Sequence, residues 1–452
     1  MTTVHIGNGA GFSGDRFDAS LPVIEALSQK TGPKYLTFEV LAERTIATAQ
    51  RIRQNNPALG YSPYLPQYIE PALKPCLEHG ITIVSNMGAA NPIAGARKIL
   101  EIAHEQGLRK PRIGVLLGDD LLEYLNPEDL GRASTMEGTS IDGRPILAAN
   151  VYLGARHVAK VLQENVDVVL VGRTTDSALI LGPLIHEFGW AENDWDVLAS
   201  GTICGHLLEC GGQVTGAYFA DPGFKDVPNL HEVGFPLAEV HSDGTFSLTK
   251  PEGTGGLVNK ATITEQLLYE MHDPAAYLVP DVTADVCAMT LHDEAENKVS
   301  IRGIQGHERP ATLKATLVVD HGFMAEAEMS YAGMNGYARA RLAADVVTQR
   351  MRTLGYNGDI RVDVIGAHSV LDGGQLPQTA PAFDGDYRVR LCLISQDRHR
   401  AQMLVDELQS LYCSGPAAGG GFRGFVTEQQ ATASILLPPS SIEPHVRAEV
   451  IT

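Results

Sequence analysis

Over the first two hundred residues, short apolar runs alternate with segments of helical period, and few folds accept that alternation. The runs fall at residues 3–7, 35–41, 81–86, 112–118 and 166–171. Each is almost wholly apolar, as strands covered on both faces are, and strands joined through helices lie parallel. The pattern predicts a parallel, Rossmann-like α/β sheet domain. In such sheets ligands bind outside the carboxyl ends of the strands. Polar clusters follow the runs there: Asn8 to Ser13, Glu39 with Glu43, Asn86 with Asn91, Asp119 with Asp120, and Arg173 to Asp176.

Farther along, the period changes. Residues 213–218 read as a strand, 235–249 as a hairpin turning at Asp243-Gly244, and 259–270 as a helix capped by Asn259 or Thr262. Residues 283–304 suggest a hairpin. Strand 312–319, helix 337–354, strands 360–366 and 387–394, helix 397–412 and strand 425–436 then give the order β-α-β-β-α-β. That order predicts a smaller α+β ferredoxin-like domain. The expected organisation is an α/β catalytic domain over residues 1–280 and a ferredoxin-like domain over 281–452.

Charge narrows the partners. The 452 residues carry a formal net charge of −19, which leaves no basic surplus for nucleic acid or an anionic membrane. A small anionic substrate needs only a few local donors and remains compatible. No apolar run reaches the roughly 18 residues of a membrane span. The amino terminus enters a strand directly, without a charged leader and apolar core, so a cytoplasmic protein is expected. Six cysteines in a chain of this length, with no C-x-x-C pair, make neither a disulfide framework nor a structural zinc site.

Three glycine loops stand out. The first contains Gly7, Asn8, Gly9, Gly11 and Ser13 between a strand and a helix. Its bare amides suit an anion at a helix start, and the bland alternative is a tight turn. It is not the dinucleotide fingerprint cleanly placed, since Glu39 follows later than that motif's acidic residue. No redox cofactor is expected. The second loop, 253–256, includes Gly255. The third, 414–423, ends at Arg423 and is either a flexible connection or a lid that clamps an anion.

The densest chemistry lies in residues 200–216. Ser200 or Thr202 reads as the cap of a helix of about two turns, stopped by Gly211-Gly212. On it His206, Glu209 and Cys210 stand three and four apart, hence on one face. They form a candidate catalytic set with Asp176, while Asn86, Arg173 and Arg423 join the glycine loops as candidate substrate ligands. The bland alternative makes His206 and Cys210 ordinary core residues and points Glu209 at water.

Several of these motifs occur together in a fixed order: residues 6–15, 205–213, 264–270 with Asp273-Pro274, and 280–282. As a set the chain resembles the acyclic terpene utilisation family over most of residues 1–290. The resemblance implies a cytoplasmic catabolic protein that handles branched acyclic acids or their coenzyme A thioesters. The expected activity is a lyase of the hydratase or dehydratase kind, with His206 as acid or base, Glu209 as its partner and Arg173 or Arg423 holding a carboxylate. Alternatives are a nucleotide- and magnesium-dependent transferase or ligase, which lacks a P-loop here, a non-catalytic metabolite-binding subunit, and nucleophilic catalysis by Cys204 or Cys210. A divalent metal is left open. A homo-oligomer is expected, with a small companion subunit as a further option.

Overall fold

Strand β1 (Thr3–Ala10) is buried at every residue but its first, because it pairs on both sides. The chain continues through α1 (Ser20–Ser28), β2 (Lys34–Phe38), α2 (Glu43–Asn55), α3 (Leu65–His79), β3 (Ile81–Ser85), α4 (Pro92–Glu105) and β4 (Ile113–Leu117). Next come α5 (Pro127–Arg132), β5 (Ile146–Val151), α6 (Ala155–Leu162), β6 (Val168–Val171), α7 (Ala178–Phe188) and α8 (Trp195–Glu209). After α8 lie β7 (Leu237–His241), β8 (Phe246–Thr249), α9 (Lys260–Leu268), β9 (Tyr277–Leu278), β10 (Thr283–Asp285), β11 (Thr290–Ala295), β12 (Lys298–Arg302) and β13 (Gln305–His307). The last elements are β14 (Leu313–Ala332), α10 (Gly336–Thr353), β15 (Arg361–Ile365), β16 (Asp386–Ser395), α11 (Arg398–Ser414), β17 (Gly420–Leu437) and β18 (Arg447–Ile451).

This computed structural model describes residues 3–138, 140, 141, 143–370 and 385–452. They divide into two units, Met1–Val318 with Thr432–Thr452, and Val319–Ala431. Residues 281–318, which the sequence reading gives to the carboxyl-terminal region, supply β10 to β13 and the start of β14 to the first unit.

The first unit is built on a ten-stranded sheet in the order β11-β12-β8-β7-β1-β2-β3-β6-β4-β18. Its centre, β1-β2-β3-β6-β4, is parallel, as the helical crossovers require. The sheet as a whole is mixed, because further strands extend it at both flanks. There β7, β8, β12 and β11 join by antiparallel pairing, and β18 returns antiparallel to β4. Tight turns account for the β7-β8 and β11-β12 pairs: a short loop such as Asp243-Gly244, with Gly244 at φ +83°, can only connect antiparallel neighbours.

Helices cover the parallel strands with apolar stripes at three- and four-residue spacing. Val23, Ile24 and Leu27 of α1, with Ile69 and Leu73 of α3, belong to the core beneath them. Each such side chain contributes about 1.5–3 kcal/mol when fully buried, enough to fix these helices against the sheet.

Two local expectations change. Helix α8 begins at Trp195, so Ser200 and Thr202 lie inside it, and Ser200 bonds the carbonyl of Gly244. Apolar positions upstream, such as Leu198, extend the buried face and carry the helix back. Residues 213–218 form turns where a strand was expected, because Gly211 and Gly216 take φ of +55° and +106°, which no extended run contains.

In the second unit β16 pairs antiparallel with both β14 and β15, within the order β15-β16-β14-β17. Helices α10 and α11 bury Ala340, Val347, Leu404 and Leu408 into its own core.

Candidate functional site

A cleft of about 1100 Å³ opens in the first unit. Its lining comes from the segments that follow β1, β2, β5 and β6, from the end of α8, and from residues 277–280 and 310–314. It therefore lies outside the carboxyl ends of the parallel strands. Phe12, Val40, Leu41, Val233, Phe235 and Leu313 give it apolar walls, between which ionisable groups converge.

Arg173 is central to one wall. Strand β6 ends at Val171, and on the next residue, Gly172, a Cβ would stand 2.6 Å from Asp119 Oδ2. That carboxylate accepts from the Arg173 amide at 2.9 Å and from Asn150 Nδ2 at 2.9 Å, so the loop is pinned before its side chain begins. The guanidinium, almost fully buried, bonds the Leu41 carbonyl and stands 3.1 Å from Asp176 Oδ1. It also stacks on Tyr152, 4.1 Å from the ring centre. Burial alone would discharge it, but Asp176, Tyr152, Glu43 and Glu39 hold it charged. Its Nε has no hydrogen-bond partner.

Three carboxyl groups surround this cation and respond differently. Burial first, and then Asp176, pushes Glu39 well above the usual carboxylate range, although Arg173, Asn86 and the Leu41 amide pull it down. Asn86 donates to it at 2.7 Å and the Leu41 amide at 3.0 Å. Asp176 is pushed up to about 7, by burial and then by Glu209, Glu43 and Glu270, against Arg173. It keeps 32% of its side-chain exposure, which leaves it accessible where Glu39 is closed off. For Glu43, burial is outweighed by Arg173, Tyr152 and Lys314, which hold it below the usual range. Tyr152 donates directly to Glu43.

The opposite wall is the end of α8. The helix stops where Gly211 takes the left-handed conformation. Gly11 abuts it so closely that a Cβ would lie 2.3 Å from the Cys210 carbonyl carbon. Asn8 reaches across from β1 and donates to the carbonyls of Leu208 and Glu209 at 2.7 and 3.3 Å. Glu209 and Cys210 line the cleft, whereas His206, 1% exposed, stands behind them. Its Nδ1 is 2.9 Å from Glu209 Oε1 and its Nε2 is 3.0 Å from the Leu267 carbonyl. Both ring nitrogens thus face acceptors. Burial opposes protonation of the ring, but Glu209, Leu267 and Glu270 raise its proton affinity overall. Glu209 Oε2 has no partner.

Of the residues singled out in the sequence, Gly11, Ser13, Arg173, Asp176, Glu209 and Cys210 line this one cleft. Asn86, His206 and Asn8 support it from behind. Gly7 and Gly9 lie inside β1, where a Cβ would meet Val23 at 2.2 Å and Phe38 at 2.6 Å; close packing accounts for both. The first loop's Gly11 amide is taken by Asp15 Oδ2 at 2.9 Å. Gly255 packs against the Asn229 carbonyl, and Arg423 is on β17 in the second unit. The thiols of Cys204 and Cys210 are both pushed up by burial, Cys210 also by Glu209, which keeps them protonated and poor as nucleophiles.

Sequence reasoning did not single out Tyr152, Tyr277 or Glu270. Position after a strand could have flagged Tyr152, which follows β5; Tyr277 opens the two-residue β9 and Glu270 sits in the turn after α9, with no such signal. Among the described residues, no group of three His, Cys, Asp or Glu side chains is placed to hold a metal ion. None of the helices described is long and apolar enough to cross a membrane. The model of a family described as acyclic terpene utilisation family protein AtuA matches residues 4–448. Among curated proteins none matches the chain.

Proposed function

The chain belongs to the acyclic terpene utilisation family, and on that premise we propose that the cleft is the active site of a hydratase or dehydratase. Its substrate is a small branched carboxylic acid or the coenzyme A thioester of one. The observation that carries this reading is a solvent-reachable carboxyl, Asp176, raised to about 7 beside a permanently charged guanidinium. An acid with that proton affinity can both give and take a proton near neutral pH.

Hydration of an unsaturated acyl group places a water oxygen on the β-carbon and a proton on the α-carbon; dehydration is the reverse. Asp176 delivers the proton to the α-carbon. Glu209, through its unpartnered Oε2, takes the proton that the attacking water loses. Arg173 offers its free Nε to the acyl oxygen as negative charge develops there. Water is the sole co-reactant; once the product leaves, Glu209 releases its proton to solvent and Asp176 takes one up, so the protein returns to its starting state with no net change in protons. The apolar walls suit the branched chain. In the same reading the parallel centre of the first sheet is Rossmann-like, and the order β15-β16-β14-β17 with two helices supports a ferredoxin-like second unit.

The test is incubation with branched unsaturated acids and their thioesters in ¹⁸O-labelled water. A hydroxylated product carrying ¹⁸O, lost in Asp176→Asn, is the expected result. Tight binding of such compounds with no label incorporated by the wild type would exclude the lyase reading.

A further inference from the structure

Pro280 and Pro310 line the cleft, but their chain neighbours Asp281 and Arg309 line other cavities. One of these, of about 360 Å³, is bounded by the opening of α6, the end of β4 and the start of β18. Four cationic side chains reach it: Arg156, Lys160, Arg309 and Arg447. Two carboxylates, Glu192 and Glu443, oppose them in the lining, and Glu449 pairs with Arg447 at 3.3 Å just beyond it. Glu443 is committed to Arg156 and lies 3.9 Å from Arg309. Lys160 is exposed and makes no ion pair among the described residues.

The attraction does not come from the helix start. Asp281 already accepts from the Ala155 and Arg156 amides at 2.7 and 3.3 Å. His157 completes the lining and responds to the local field. Burial, followed by Arg156, Lys160 and Arg309, depresses its proton affinity to about 4. Arg156 and Arg447 have close carboxylate partners in Glu443 and Glu449, whereas Lys160 has none among the described residues and Arg309 only the 3.9 Å contact.

We propose that this cavity binds a phosphoryl dianion, either free phosphate or the phosphate group of a larger ligand. Two negative charges match the two cations that lack a close carboxylate, Lys160 and Arg309, whereas a monocarboxylate would answer only one of them. Arg309 and Lys160 supply charge-assisted donors. His157 gains a proton as the dianion arrives, because an adjacent negative charge favours the imidazolium.

The experiment follows the His157 C2 proton by NMR while inorganic phosphate is added, against sodium chloride at equal ionic strength. Saturable binding at one site is expected, with the His157 midpoint rising from about 4 toward neutrality. Lys160→Gln and Arg309→Gln, each with an unchanged far-ultraviolet circular dichroism spectrum, should weaken phosphate by about tenfold, the scale of one charge-assisted hydrogen bond. Adenosine 3′,5′-bisphosphate, the phosphate-bearing end of coenzyme A, serves as the second ligand. Tighter binding of it than of phosphate identifies a carrier's phosphate as the source, and the opposite order identifies free phosphate. An unsaturable response equal to that of sodium chloride overturns the proposal. Unchanged affinity in both variants, or succinate binding as tightly as phosphate, does the same.

Discussion

On one wall of the cleft Arg173 faces Asp176, Glu39 and Glu43; on the other Glu209 faces His206. Both walls place carboxyl groups beside a cationic or protonatable partner in nearly dry surroundings. Their outcomes differ because of numbers. Around Arg173 burial acts first and three carboxyls then share one guanidinium, so Glu39 and Asp176 are driven toward their protonated forms while Glu43 keeps its charge. On α8 one carboxyl meets one imidazole, and a backbone carbonyl secures the ring from the other side. The first wall holds an unsatisfied excess of acid, and the second holds a nearly closed pair with a single free oxygen. The carboxyl raised toward neutrality, Asp176, belongs to the first.

That contrast can be broken most sharply at Asp176. Asp176→Asn should lower turnover about 10²- to 10⁴-fold, the usual contribution of a positioned acid or base. The same substitution should help the fold in alkaline solution. A carboxyl whose folded proton affinity exceeds its unfolded one contributes stability below about pH 4, which is lost as pH rises through about 7. Chemical unfolding should therefore favour Asp176→Asn over the wild type more at pH 8 than at pH 4.

Arg173→Met comes next. Removing one partner of a buried ion cluster costs about 3–5 kcal/mol. Urea unfolding should register that loss at pH 8 and a smaller one at pH 5, where more of the remaining carboxyls can take protons. An equal loss at both values would mean that charge is not what Arg173 supplies.

A smaller effect is expected on the α8 wall. His206→Gln strands Glu209 and should cost about 1–3 kcal/mol, the scale of an unsatisfied buried group. His206 has a raised folded proton affinity. Its contribution is thus complete below the unfolded value of about 6.5 and disappears as pH rises through the folded one. The gap between variant and wild type should narrow accordingly; a gap that widens with pH would reverse the assignment of charge. Smallest of all is Cys210→Ser. With its thiol held protonated, turnover should change by less than about threefold, and a complete loss would move the chemistry to sulfur.

Sequence alone reached the parallel strands and the places where their polar ends gather, since apolar runs and helical period are local signals. Asp176 and Arg173 were legible for that reason, and Glu209 from its helical spacing on a glycine-bracketed helix. His206 was legible as a residue but not in its role: three-residue spacing put it beside Glu209, yet nothing local could tell that the Leu267 carbonyl, 61 positions away, closes its other nitrogen. Glu39 was visible only as a strand-end acid. Its proton affinity depends on Asp176 and Arg173, brought over from β6 by the sheet order β2-β3-β6. The hairpins of one flank were legible from their turns, but β18 escaped because it finds β4 from across more than 300 residues, a pairing that no local period encodes.

The central claim is that Asp176 carries a proton near neutral pH. Its most direct test is the carboxyl titration seen as the difference between wild type and Asp176→Asn, read from the infrared carbonyl band or from a ¹³C-labelled side chain. A midpoint at about 7 is the expected result. A midpoint at about 4, the ordinary aspartate value, would contradict the account.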